Sequence, residues 1–246
     1  MSRNAKAIAI SVLALIGLAV WLSGLGSYSK RQAVAADEED SDVYPFEVCI
    51  VTGVPIGSMG DPVIRHYSGR EVRFCCIKCV GQFERNQAGY IEQIDAALIR
   101  QQLPRYPVDT CIGGGKLGNM GEPVNFVYRN RLIRFCCESC RDEFGLAPAK
   151  HLAWLNQAVI ARDSHTYPLG KCVVTGAPLG RMGPPVQYVS GHRLLKFCCR
   201  RCIEEFKKWP ARYLAELEGA IAARQPSPAE VGPAREAGET TGPAMP

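Results

Sequence analysis

The chain contains twelve cysteines, and their spacing is the part of the sequence with the clearest chemical meaning. They form three sets of four, in which one cysteine comes about 25 residues before a Phe-Cys-Cys-x-x-Cys motif. The sets are Cys49, Cys75, Cys76 and Cys79; Cys111, Cys136, Cys137 and Cys140; and Cys172, Cys198, Cys199 and Cys202. A single thiol followed by a Cys-x-x-Cys pair is a spacing typical of metal ligands. The sequence therefore predicts one metal ion in each of three repeated modules.

The ligand type predicts a soft metal ion, either Zn(II) or Cu(I). The thiolate, which is the form that binds metal, is favoured at a helix amino end, where we expect each Cys-x-x-Cys pair to lie. Zinc takes four tetrahedral ligands, and thiolates also select Cu(I). Successive side chains on a strand point to opposite faces. The adjacent cysteines therefore leave two alternatives, which are four ligands or three thiolates with an open position.

Two further residue types recur at fixed positions in the repeat. Three methionines follow the first cysteine of each set: Met59, Met120 and Met182. They are either gap-filling core residues or auxiliary thioethers that complete or shield a Cu(I) site. A basic residue precedes each Phe-Cys-Cys: Arg73, Arg134 and Lys196. We expect these cations to favour the thiolate anions.

Two other uses of the cysteines compete with metal binding. Four thiols per module allow two disulfides, which are common in exported chains with even cysteine counts. The Phe-Cys-Cys-x-x-Cys motif at a helix start favours metal over this alternative. Thiol–disulfide exchange is a weaker alternative, because no βαβ thioredoxin-like pattern surrounds the motif. No Ser/His/Asp or paired-carboxylate set recurs in the repeat, so we expect a binding protein and not an enzyme.

The elements that position the cysteines follow from the same repeat. Apolar residues alternate on both sides of three turns, which predicts a tight hairpin in each module: Ser68-Gly69-Arg70, Arg129-Asn130-Arg131 and Ser190-Gly191-His192. Each Cys-x-x-Cys then opens a helix, and Pro148 and Pro210 indicate that a second helix starts there. The predicted fold is α+β, with modules at 44–103, 104–164 and 165–224. Cores this small normally need a metal or disulfides.

The two ends of the chain have different compositions from the modules. Residues 7–26 are uncharged and lie between basic residues, which predicts a membrane anchor or a signal segment, followed by an acidic linker up to residue 43. The modules would then lie on the periplasmic or extracellular side, and would be secreted if the segment is cleaved. Residues 225–246 are rich in Pro, Gly and Ala, which predicts a disordered tail. The net charge of +5 is unclustered, so we expect no nucleic-acid partner.

The motifs resemble the YHS/TRASH group of small metal-binding domains. The resemblance rests on the stretch from Phe74 to Phe83 with the later Tyr90, and most clearly on the third copy: Cys172-Val-Val-Thr-Gly, Phe197-Cys-Cys-Arg-Arg-Cys202, Phe206 and Pro210-Ala-Arg-Tyr213. It implies treble-clef-like modules that take part in heavy-metal sensing, trafficking or efflux. It also implies that the first, second and fourth cysteines of each set are the family's thiols. Cys76, Cys137 and Cys199 are additional to the family pattern.

The sequence thus predicts an exported array of three metal-binding modules, each holding Zn(II) or Cu(I). The alternative is a protein-interaction scaffold in which structural zinc or disulfides only hold the fold. In that case the exposed hairpins would bind a protein partner.

Overall fold

Each of the three modules contains one two-stranded antiparallel hairpin. The computed structural model describes residues 42–224, and within them the strands are β1 (Val63–Tyr67) with β2 (Arg70–Phe74), β3 (Val124–Tyr128) with β4 (Arg131–Phe135), and β5 (Val186–Ser190) with β6 (Arg193–Phe197). The registers correspond, since Val63, Val124 and Val186 each pair with the phenylalanine that precedes the adjacent cysteines. The three predicted hairpins are confirmed.

The hairpin turns are two-residue loops with positive φ at both positions. The angles are 51° and 74° at Ser68 and Gly69, 48° and 66° at Arg129 and Asn130, and 52° and 65° at Gly191 and His192. Two positive φ values in succession define a type I′ turn, whose twist matches that of the flanking strands. The turn therefore fixes which face of each second strand is directed toward the module core.

A short helix and a longer helix follow each hairpin. The pairs are α1 (Ile77–Arg85) and α2 (Gln87–Gln102), α3 (Glu138–Leu146) and α4 (Pro148–Asp163), and α5 (Arg201–Lys208) and α6 (Pro210–Ala222). A 3₁₀ turn at Leu103–Arg105 links the first two modules. Each pair is separated by one residue with an extended φ, and proline at the first position of α4 and α6 suits a helix start. The predicted second helix starts at Pro148 and Pro210 are confirmed.

A pair of buried phenylalanines joins the hairpin to the short helix in each module. The ring centroids are 5.2 Å apart for Phe74 and Phe83, with matching pairs at Phe135–Phe144 and Phe197–Phe206. All six rings are almost completely buried. Because one phenylalanine precedes the adjacent cysteines and the other follows the last cysteine, this packing holds the Cys-Cys-x-x-Cys segment at the helix start.

The long helices pack against the hairpin of the next module. α2 lies on β3 and β4, and α4 lies on β5 and β6. As a result Val127 belongs to the apolar core of module 1, and Val159 of module 2 packs with Val189 and Leu194 of module 3. The sequence predicted three small separate cores, whereas the structure shows apolar packing that continues across the module boundaries. The boundaries themselves stay a prediction.

Buried polar groups also connect the modules near the hairpin turns. The Asn130 amide donates to the main-chain oxygens of Glu71, at 2.8 Å, and of Asp42, at 3.2 Å. The His192 ring lies 2.7 Å from the Leu132 carbonyl, so its Nε2 is the donor. Arg73 donates to two carbonyls at the end of α5, which brings module 3 against module 1. Module 1 therefore contacts both other modules.

Two predictions concern residues outside the described part of the chain. The anchor or signal segment at 7–26 and the tail at 225–246 both lie outside residues 42–224. Within residues 42–224, no helix is long and apolar enough to cross a membrane.

Candidate metal centres

Three cysteine sulfurs come together in each module, which gives three thiol triads. The triads are Cys49, Cys75 and Cys79; Cys111, Cys136 and Cys140; and Cys172, Cys198 and Cys202. In each triad all sulfurs lie within 4.8 Å of one another. The first cysteine comes from the loop before the hairpin, the second directly follows the second strand, and the third lies in the short helix. Each triad could hold one metal ion.

The sulfur separations fit metal ligands and are too long for disulfides. The second and third sulfurs of each triad are 3.6, 3.6 and 3.5 Å apart in modules 1, 2 and 3. A tetrahedral site with Zn–S bonds of about 2.3 Å has sulfurs about 3.8 Å apart, while a disulfide needs about 2.05 Å. All twelve cysteines are described, and all twelve have free thiols.

The additional thiol of each module lies at the edge of its triad. Cys76 Sγ is 3.7 Å from Cys79 Sγ, and the corresponding separations are 3.8 Å from Cys137 to Cys140 and 3.6 Å from Cys199 to Cys202. The additional cysteines are only partly buried, unlike most triad members. They are not part of the groups whose sulfurs all lie within 4.8 Å of one another. Each is therefore a fourth sulfur beside a triad that is fully buried in modules 1 and 3 and partly exposed at Cys140 in module 2.

Local hydrogen bonds prepare the first cysteine of each triad to be a thiolate. Burial raises the pKa of the Cys172 thiol, but hydrogen bonds from backbone N–H groups, with that of Cys198 contributing most, and from the Thr175 hydroxyl outweigh it and lower the pKa to about 7. The same balance lowers the pKa values of Cys49 and Cys111, although module 2 supplies no hydroxyl. A thiolate stabilised without a metal is ready to bind one.

The last cysteine of each triad is held in the opposite protonation state when no metal is bound. Burial, together with hydrogen bonds from Cys79 to its neighbouring sulfurs, raises its pKa to about 12, and the pKa values of Cys140 and Cys202 are also raised. The last thiol therefore donates its proton to the other sulfurs. Metal binding must displace that proton, so the affinity for metal is expected to rise with pH.

The sequence predicted that the helix amino end favours the thiolate in both members of each Cys-x-x-Cys pair, but only the pKa of the first member is lowered, while that of the second is raised. A hydrogen bond from the Cys79 backbone N–H lowers the pKa of the Cys76 thiol, and the Cys140 N–H does the same for Cys137. Both residues immediately precede a helix, at a position where free N–H groups favour an anion.

The basic residues before each Phe-Cys-Cys do not act as predicted. Arg73 donates to Glu71 and to the end of α5, Arg134 donates to Asn125, and Lys196 donates to the carbonyl of Ser164. Arg134 and Lys196 also lie over tyrosine rings. These side chains lie on the strand face opposite the core. Their hydrogen bonds therefore join modules, in the case of Arg73 and Lys196, or the two strands of a hairpin, in the case of Arg134.

The three methionines are exposed, so the interpretation that they fill gaps in the core is wrong. Met59, Met120 and Met182 are 65%, 69% and 71% exposed. Each precedes a glycine with φ between 102° and 107°, in the loop before the hairpin. Their role as auxiliary thioethers stays a prediction.

Sequence reasoning missed the threonines that contact sulfur in two modules. Thr52 Oγ1 lies 3.5 Å from Cys75 Sγ, and Thr175 Oγ1 lies 3.5 Å from Cys198 Sγ. The signal was present, since both threonines stand three residues after the first cysteine. They complete the polar surroundings of the sulfurs in modules 1 and 3.

The chain was compared with protein-family models, curated proteins and solved structures, and none of the three comparisons gave a match.

Proposed function

We propose that the chain is a metal-binding protein that holds one soft metal ion in each of its three modules. The observation that carries this proposal is the repeated triad, in which three sulfurs from separate parts of a module lie within 4.8 Å of one another. Bringing three thiols together by folding has a cost in chain entropy and in burial, and a bound ion offsets it.

The metal is Zn(II) or Cu(I), because both prefer thiolate ligands. For Zn(II), the triad supplies three ligands and the additional cysteine, such as Cys76, supplies the fourth after a small movement of its side chain. For Cu(I), the triad alone suffices and the additional thiol stays free. The 3.6–3.8 Å separations between the additional cysteine and the last triad member support its role as a fourth ligand for Zn(II).

We also propose that each module is a treble-clef-like member of the YHS/TRASH group. Two features support this: the hairpin lies between the first thiol and the pair at the helix, and the second helix restarts at proline in two copies. The chain would bind and pass on metal rather than catalyse a reaction, because the feature that repeats three times is the ligand set. Its role would be heavy-metal trafficking or homeostasis.

We place the modules outside the cytoplasm, anchored by residues 7–26 or released after cleavage there. This part of the proposal rests on the uncharged stretch between basic residues in the sequence.

The ligand assignment is tested by removing one sulfur at a time from the full chain. Cys79→Ser is expected to lower the bound metal from three ions to two, measured by metal analysis after loading the reduced protein and removing excess metal. Cys76→Ser is expected to keep three ions with Cu(I) and to weaken Zn(II) binding in module 1. Ser139→Ala, an exposed change within a Cys-x-x-Cys motif, is the control. Three tightly held ions in Cys79→Ser would contradict the assignment.

A further inference from the structure

The metal site of module 2 lacks a hydroxyl group that the other two sites share. In modules 1 and 3, the Thr52 and Thr175 hydroxyls lie 3.5 Å from the second triad sulfur. The backbone N–H two residues later donates to each hydroxyl oxygen, at 3.4 and 3.3 Å. The hydroxyl hydrogen is therefore free to point at sulfur. A metal-bound thiolate has no proton, so the hydroxyl must be the donor there, and it stabilises the bound form.

Module 2 has no counterpart of this threonine because its loop is one residue shorter. The backbone N–H of Cys111 donates to Gly115, four residues on, whereas Cys49 donates to Val54, five residues on. The isolated bridges that close the loops show the same difference, Thr110 with Lys116 against Val48 with Pro55. After Ile112 the shortened loop continues with Gly113, Gly114 and Gly115, so the positions that would correspond to Val51 and Thr52 have no side chain to offer the sulfurs.

The same loop leaves the module 2 sulfurs with less apolar cover. Val51 and Val174 pack against the cores that contain the triads of modules 1 and 3. A Cβ at Gly113 would be 3.0 Å from Cys140 Sγ, so no side chain fits there without moving the sulfur. Cys140 is partly exposed, while Cys79 and Cys202 are 3% and 4% exposed. Solvent and incoming ligands therefore reach this sulfur more easily.

The charged residues beside the sites also favour metal binding less in module 2 than in modules 1 and 3. The Cys-x-x-Cys motif of module 2 contains Glu138, whereas the others contain Lys78 in module 1 and Arg200 with Arg201 in module 3. Replacing protons by a metal ion makes a three- or four-thiolate site more negative, so a nearby anion opposes binding and a cation favours it. This contribution is the smallest of the three, because Glu138 is exposed and pairs with Arg141.

We propose that module 2 is the exchange site of the array, where the metal ion leaves and is replaced faster than in modules 1 and 3. This inference rests on the proposed metal-binding function. In modules 1 and 3, a hydroxyl donor and a valine side chain shield the metal-binding sulfurs. In module 2 one sulfur is partly exposed, so the thiols of a molecule that accepts the metal can reach the site.

The location of the exchange site is tested by following release of Zn(II) from the fully loaded chain to an excess of chromophoric chelator. One equivalent is expected to leave quickly and two slowly. Cys140→Ser should remove the fast phase and leave two slow equivalents, whereas Cys79→Ser and Cys202→Ser should each keep the fast phase and lose one slow equivalent. Survival of the fast phase in Cys140→Ser, or release of all three ions at one rate, would overturn the exchange site alone. A chain that binds no ion would instead overturn the proposed function.

A second test leaves every cysteine in place and asks whether the hydroxyl causes the difference. Thr52→Ala is expected to weaken metal binding in module 1 by about 10- to 100-fold, the usual effect of losing an outer partner of a metal ligand. It should also convert one slow equivalent into a second fast one. Thr52→Ser keeps the hydroxyl and should behave as the unaltered chain. Equal release from Thr52→Ala and Thr52→Ser would overturn the role of the hydroxyl and with it the inference.

Discussion

At the scale of single residues, modules 1 and 3 share an ion pair as well as a ligand set. Arg70, the first residue of β2, pairs with Asp95 on α2, and Arg193, the first residue of β6, pairs with Glu218 on α6. The two acidic residues stand at the same distance from the last cysteine of their modules, where module 2 has Asn156. The arginine side chains are 9% and 4% exposed, so each depends on its partner. The pairs fix the long helices against the hairpins.

Asp95→Ala is expected to destabilise the protein by about 2 kcal/mol, because it removes a charged hydrogen-bond acceptor from the buried Arg70 guanidinium. Urea denaturation of the full chain measures the change. Asp95→Asn, the residue type found in module 2, should recover part of the loss. Glu92→Ala on the exposed side of the same helix is the control and should change stability little. If Asp95→Ala were as stable as Glu92→Ala, the ion pair would have no structural role.

The sequence identified the cysteines correctly as the groups that come together, because four thiols at repeated spacings are rare by chance. It did not identify the threonines or the arginine–acid pairs. Thr52 and Asp95 are ordinary polar residues in sequence, and only folding brings them to Cys75 and Arg70. The expected action of Arg73 on the thiolates was wrong for the same reason, since its strand directs it to another module.

At the scale of elements, a hairpin turn can connect modules as well as reverse the chain. Asn130 has φ of 66° and is 1% exposed, and its amide donates to two main-chain carbonyls in module 1 and the segment before it. Asparagine combines tolerance of the left-handed conformation with an amide that reaches these carbonyls. The turn is therefore also a contact between modules.

Substitutions at Asn130 separate these two roles. Asn130→Gly keeps the turn but removes the amide that donates to two main-chain carbonyls, which is expected to cost about 2 kcal/mol. Asn130→Ala adds the strain of a non-glycine residue at positive φ, and should cost about 1 kcal/mol more. Thermal or urea unfolding of the full chain measures both. Ser68→Gly in the exposed turn of module 1 is the control. An Asn130→Gly variant as stable as the unaltered chain would show that the contacts between modules do not matter.

The order and type of the elements could be predicted from sequence, because alternation, turn residues and prolines are local signals. The interruption between the two helices of each module was predicted only where a proline marks it. In module 1 the same interruption occurs at Asn86, with φ of −139°, and no residue in the sequence indicates it.

At the scale of the whole molecule, the three modules form one continuous structure. Apolar residues of α2 and α4 cover the next hairpin, and Val43 packs in the core of module 3 while Tyr44 packs in that of module 1. This arrangement could not be predicted, because the helix residues that contact the next module have the same apolar spacing as residues that face their own core. Ile94 and Leu98 fit either interpretation in the sequence.

We therefore expect the chain to unfold in one cooperative transition rather than three, followed by circular dichroism and by tryptophan fluorescence. Removing metal with a chelator should lower the midpoint without splitting the transition. Arg73→Ala, which removes two hydrogen bonds between modules 1 and 3, should lower the midpoint of that single transition. Arg65→Ala is the control, since Arg65 is exposed and donates to the adjacent carbonyl of its own strand. Three separate transitions would contradict the shared structure.

The most direct test of the central claim is native mass spectrometry of the full chain, purified without added metal. We predict three bound ions per chain with all twelve thiols reduced, and the added mass will identify the metal as zinc or copper. A chain without metal, with a mass lower by two hydrogens for each cysteine pair, would show a disulfide framework and contradict the account.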